Sequence, residues 1–174
     1  MAVWQYQLNI IPKKAILDKY EKIPNELSVD KDGWKRYWEN LDNIENLPEP
    51  DFKDAKTIKW WNNVKIDIKE IINQIDNLIS RADWGNTLNS KNWKGNSDLK
   101  EDNDCFLSFD PKRQIIEDFY FRTDLRNEKN IDKFLSGMLR ICQDNNLMVF
   151  NKNGNLFEPR LELIQNDIKN KFSQ

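Results

Sequence analysis

The chain contains no histidine. That removes the side chain most often used as general acid or base near neutral pH, and the commonest transition-metal ligand. Ser-His-Asp and Cys-His catalysis are excluded, as are zinc sites built on His. Carboxylate-and-Mg²⁺ chemistry and lysine-based mechanisms survive. Glycine is scarce: the five present are scattered and form neither GxGxxG nor GxxxxGK, so there is no phosphate-cradling loop. The only cysteines are Cys105 and Cys142. Both fall on expected core elements, and two buried free thiols in a reducing cytoplasm are expected rather than a disulfide. No apolar run approaches the ~20 residues that cross a bilayer, and Met1–Tyr6 lacks the basic n-region and cleavage site of a signal peptide. A net charge of −2 with 32% charged residues is no electrostatic footprint for nucleic acid or an anionic membrane. The length of 174 residues suits one domain, 1–174, burying roughly 70% of its unfolded surface.

What is present is periodicity. Trp4, Tyr6, Leu8 and Ile10 alternate with polar residues, so 3–11 is expected as a half-buried strand ended by Pro12. Short helices are expected at 13–21, carrying Ile16, Leu17 and Tyr20, and at 31–41, where Trp34, Tyr37, Trp38 and Leu41 form a stripe. Val64, Ile68, Ile71, Ile72, Ile75, Leu78 and Ile79 predict the longest helix, near 64–81. Residues 83–104, polar and glycine-containing, have the character of a long surface loop. Strands are expected at 105–110 and 115–126, then a helix over 130–145 starting at Asn130. In that helix Gly137 either permits close packing on the sheet or weakens the helix. Leu147–Phe150 predicts a strand, Asn153-Gly154 a type I′ turn to a partner strand at 155–158, and Pro159 the start of a final helix with Leu161, Ile164, Ile168 and Phe172 on one side. The fold class is therefore α+β: a mixed or mainly antiparallel sheet of about five strands with helices packed mainly on one face.

Polar chemistry concentrates on the 115–126 strand. Alternation sends Glu117, Phe119, Phe121, Thr123 and Leu125 one way, and Asp118, Tyr120, Arg122, Asp124 and Arg126 the other. The second set is either a structural Arg–Asp–Arg ladder covering the sheet or a recognition surface, since Arg and Tyr are enriched at interface hot spots. Of the seven tryptophans, Trp4, Trp34, Trp38 and one of Trp60/Trp61 are expected in the core, because adjacent side chains on a regular element diverge. Trp84 and Trp93 sit among polar residues and either contact a partner or pin the loop. The acidic pairs Glu117/Asp118 and Asp102/Asp104 show no nuclease-like spacing, so a solvated surface is expected and no cofactor or metal is called for.

The tryptophan-rich first strand ending in Ile11-Pro12, the central Trp60-Trp61, the run Phe119-Tyr120-Phe121-Arg122-Thr123-Asp124-Leu125-Arg126 and the closing Phe157-Glu158-Pro159 come in a distinctive order. In this the chain resembles bacterial immunity-type proteins of polymorphic toxin and contact-dependent inhibition systems. The resemblance covers both ends of the chain and fades over 21–55 and 83–104. It implies a non-enzymatic cytoplasmic protein that binds and blocks one cognate protein toxin. The Asp118/Tyr120/Arg122/Asp124/Arg126 face, or the loop carrying Trp84 and Trp93, would make the contact. The alternatives are a metal-dependent hydrolase or nuclease using clustered carboxylates, and a structural subunit of a larger assembly.

Overall fold

Residues 4–41 and 47–172 are described by a computed structural model. In chain order they form β1 (Gln5–Pro12), α1 (Lys13–Tyr20), α2 (Lys31–Glu39), α3 (Ile68–Asp76), β2 (Ser90–Lys94), β3 (Asp104–Asp110), β4 (Ile115–Asp124), α4 (Glu128–Asn130), α5 (Ser136–Asp144), β5 (Leu147–Asn151), β6 (Leu156–Phe157) and α6 (Leu161–Phe172). A π-helical stretch, Ile131–Leu135, joins α4 to α5. The strands make one six-stranded sheet in the order β2-β3-β4-β1-β5-β6, and every pairing is antiparallel. The architecture is the α+β class read from the sequence, with one strand more. Val3, expected in the first strand, and the Phe172 side chain lie outside the described residues.

Alternation along the strands separates two faces. Leu8 lies opposite Phe121 and Tyr6 opposite Thr123. Cys105 and Leu107 lie opposite Phe121 and Phe119, Trp93 opposite Cys105, and Ile10 opposite Val149. All of these are buried. Fully burying one such Leu, Ile or Phe contributes roughly 1.5–3 kcal/mol, so this layer carries much of the stability. Helices close over it: Phe134 meets Phe121 edge-on at 5.9 Å. The Asp76 carboxylate at the end of α3 accepts from the Trp93 indole at 2.8 Å. Asp167 of α6 accepts from the Tyr6 hydroxyl at 2.5 Å and from the Asn151 amide at 2.9 Å. The opposite face carries Gln7 and Asn9 of β1, Phe106 of β3, and Tyr120 and Arg122 of β4.

Both sheet edges are capped. Along β2 the Ala82 amide donates to the Asn92 carbonyl and the Lys94 amide to that of Ser80, while beside β6 the Leu27 and Leu156 amides donate to the Gly154 and Asn25 carbonyls. Isolated bridges Arg81–Trp93 and Glu26–Asn155 complete the caps. Such caps remove the unpaired rows through which edge strands recruit foreign strands.

Several elements differ from their sequence expectation for identifiable reasons. The helix expected over 64–81 is only nine residues, Ile68–Asp76, because Asp67 caps its start by accepting from the Glu70 amide. Beyond it, Leu78 packs against the Gly137 position, where a Cβ would lie 2.7 Å from the Leu78 methyl. Gly137 thus permits a close approach of this segment rather than of the sheet. The supposed loop 83–104 contains β2, an edge strand with one large apolar residue and hence no readable period. Trp60 and Trp61 are both buried, because they lie on a turn that sends one ring toward Tyr20 and the other toward Phe119. Trp4 and Trp38 are exposed instead of core, and of the α1 residues expected to point inward Ile16 is buried while Leu17 and Tyr20 are exposed. Glu117 is the extra residue of a bulge, since Ser108 pairs with Asp118 but Phe109 with Ile116; it leaves the alternation and is exposed. The turn after β5 is not type I′, which needs positive φ at both central residues. Among the described residues there Gly154 alone has it, at +95°, and the Asn151 side chain holds the turn by accepting from the Asn153 and Asn155 amides.

Candidate functional site

The arginines of β4 and its extension belong to two separate ion pairs, not one ladder. Arg122 donates from Nε to Asp104 of the neighbouring strand at 2.7 Å, a carboxylate also reached by Lys94 and Gln5 at 3.3 Å. Lys94 additionally pairs with Asp102. Arg126 grips Asp124 through Nε and Nη2 at 2.6–3.1 Å, and its guanidinium lies 4.3 Å from the centre of the Trp4 ring. Asp124 is fully buried and accepts further bonds from the Asp102 and Arg126 amides. Burial pushes its carboxyl up, but these hydrogen bonds outweigh that and hold it below the usual carboxylate range. Asp124 therefore anchors structure and is removed from the candidate contact surface.

Trp93 is removed as well. Its ring is wholly inside the helix-covered layer, with the indole bonded to Asp76. The sequence placed it in a loop because its neighbours Lys91, Asn92 and Lys94 are polar. Trp84 is exposed. Its loop is braced rather than slack: Asn86 donates to the Ala82 carbonyl at 2.7 Å, and Asn92 to that of Gly85 at 2.6 Å.

Of the remaining residues of the expected face, Asp118 and Tyr120 line a groove of about 530 Å³; Arg122 lies beside it over the Tyr120 ring, and Arg126, held on Asp124, does not line it. The groove's base is the sheet face that carries Gln7, Asn9, Asp118 and Tyr120. Its far wall comes from α2 and the segment after it, which are fixed by a buried carboxylate. Asp54 accepts from the Trp34 indole at 2.6 Å, the Lys56 amide at 2.8 Å and the Asp30 amide at 3.1 Å. Around Trp34 gathers an aromatic cluster, with Phe52 edge-on at 5.2 Å, Tyr37 edge-on at 5.5 Å and Trp38 stacked at 6.3 Å. Trp38 remains 56% exposed. On the sheet side Tyr120 is half-buried, pairs with Phe106 across the strands at 5.4 Å, and has Arg122 over its ring at 5.9 Å. Burial raises its phenol above the ordinary value.

Asp118 stands apart from the other carboxylates. It is exposed on the groove's sheet side and, among the described residues, makes no ion pair. Desolvation raises its carboxyl above the usual range, with only partial relief from the charge of Lys59. Sequence reasoning missed the groove's other wall. The aromatic stripe of α2 had the spacing of a core helix, although Lys35, Arg36 and Glu39 surround it and Gly33 is its one buried residue. That polar flanking was the available signal.

A second cleft of about 570 Å³ runs between the end of α3 and the π-helical stretch. Its amides are committed internally: Asn103 donates to Asn130, which donates to the carbonyls of Lys100 and Asp124. Cys105 and Cys142 are free and buried, and burial raises both thiols above the usual range. Among the described residues no three Cys, Asp or Glu side chains are placed to hold a metal ion, and no helix is long and apolar enough to cross a membrane. No family model, curated protein or solved structure matches the chain.

Proposed function

We propose that the chain is a non-enzymatic, protein-binding inhibitor of the immunity type, acting in the cytoplasm to neutralise one cognate bacterial toxin. The groove side of the sheet would cover the toxin. The observation that carries this reading is the grouping of exposed Trp38 and half-buried Trp34, Tyr120 and Phe106 with Asp118 and Arg122 on one surface. Trp, Tyr and Arg are the residues that dominate interface energetics. Their seats are rigid, on paired strands and on a helix pinned through Asp54, so little further ordering is required on binding. The ionised groups at the rim suit fast and selective association.

The test is co-purification with candidate bacterial toxin domains, any encoded by a gene adjoining this chain's own taken first, followed by calorimetric titration. A one-to-one complex that abolishes toxin activity is expected. The double change Trp38→Ala and Tyr120→Ala should weaken it by at least about 30-fold, the equivalent of one hot spot. Hydrolytic turnover by the purified chain that tracks the protein and vanishes on changing one carboxylate would overturn the reading in favour of an enzyme.

A further inference from the structure

Most carboxylates on the groove side of the sheet are already committed. Asp104 is held by Arg122 and Lys94, and Asp54 by the Trp34 indole and backbone amides. Even exposed Glu117 lies 3.8 Å from Arg113. Asp118, on the groove's sheet side, pairs with no cation among the described residues, and Lys59, which also lines the groove, is engaged by Glu49 at 3.5 Å. Asp118 is exposed within the groove, and a carboxylate without a partner in a concave site favours an incoming cation, because opposite charges at close range stabilise each other.

The rings beside it are suited to the same visitor. Lys56 lies over the face of Trp34 at 5.5 Å, and Arg122 over Tyr120 at 5.9 Å. The aromatic faces of this surface thus already receive cations from within the chain. Trp38, stacked on Trp34, keeps its outer side open. Arginine fits this combination better than lysine: its planar, weakly hydrated guanidinium can fork onto a carboxylate while stacking on a ring.

We infer that the groove captures an arginine side chain projecting from the partner protein, with its guanidinium on Asp118 and its planar face against Tyr120 or Trp38. The inference rests on the inhibitor reading and adds the chemistry of the partner's anchoring residue. Lys56 and Lys59 line the opposite wall, so a carboxylate flanking that arginine on the partner would complete the match.

The direct test uses the tripeptide acetyl-Gly-Arg-Gly-amide and its citrulline counterpart, added to the free chain and followed by nitrogen–proton NMR. The arginine peptide should give saturable shifts at the Trp38 indole and the Tyr120 amide. Citrulline should bind at least about tenfold more weakly, and Asp118→Asn should abolish the difference. Equal binding of both peptides, no shifts with either, or preference for a glutamate peptide would overturn the inference. A second arm measures toxin affinity of Asp118→Asn, whose fold is checked by circular dichroism. Loss of at least about tenfold, recoverable in a double-mutant cycle with a single toxin arginine, is expected. Unchanged affinity would remove the arginine pocket while leaving the inhibitor reading intact; no toxin binding by the unaltered chain would remove that reading, and the peptide arm would still decide the pocket.

Discussion

Replacing Arg126 with Ala strips the buried Asp124 of its counter-ion and should unfold the protein more readily than any comparable change at Arg122. Arg126 makes contacts of 2.6, 3.0 and 3.1 Å to a carboxylate whose side chain is 0% accessible. Hydrogen bonds to a charged group contribute about 1.5–3 kcal/mol, and the amides of residues 102 and 126 would still serve Asp124, so roughly 2 kcal/mol is expected from this loss. Losing the stacked guanidinium over Trp4 adds about 0.5 kcal/mol for an exposed cation–π contact. A total near 2.5 kcal/mol corresponds to a fall in Tm of roughly 5–10 °C for a chain of this size. Arg122→Ala should cost only about 1 kcal/mol, because Lys94 and Gln5 still reach Asp104. The pH dependence has a definite sign. The folded Asp124 carboxyl lies below its unfolded value, so its stabilisation is present above about pH 4 and is lost as pH falls through the folded value. Urea melts at neutral and acidic pH should therefore show the gap between Arg126→Ala and the unaltered protein narrowing in acid. A neutral-pH difference below about 0.5 kcal/mol would refute the reasoning, since it would mean that Asp124 does not depend on this partner.

Three further outcomes follow from particular contacts. Gly154→Ala should destabilise by more than about 2 kcal/mol in denaturant melts, since positive φ alone costs about 1–2 kcal/mol and the new Cβ would lie 2.1 Å from the Leu27 carbonyl oxygen. Asp76→Ala should cost about 1–3 kcal/mol by orphaning the buried Trp93 indole N–H, read as earlier unfolding in denaturant melts. Asp118→Asn should unfold no earlier than the unaltered protein at pH 7. The folded Asp118 carboxyl is raised, so its ionisation opposes folding at neutral pH and the opposition fades as pH falls toward the unfolded value; thermal melts across that range check it.

The strands that build the sheet were legible because each buries one face only. Leu8, Phe119 and Phe121 alternate with polar neighbours, and that period survives any detail of packing. β2 was not legible: an edge strand needs no apolar run, and its ladder is paired through backbone groups that every residue carries. The bulge at Glu117 was equally hidden, because an inserted residue changes register without changing composition. Asp118, Tyr120 and Arg122 were identified as surface chemistry from alternation alone. Asp124 obeys the same alternation, yet it is buried by contacts from residues 102 and 103, more than twenty positions away in sequence. Trp34 and Trp38 gave the opposite error, since a short aromatic stripe has the same spacing whether it meets a core or rims a groove.

Hydroxyl-radical footprinting of the chain, alone and saturated with a toxin domain that co-purifies with it, tests the proposed inhibitor role most directly, because it reports side-chain exposure on the face in question. The account predicts that Trp38, Tyr120 and Phe106 lose much of their oxidation on complex formation. A complex in which these three rings oxidise as in the free chain, or the absence of any complex, would contradict it.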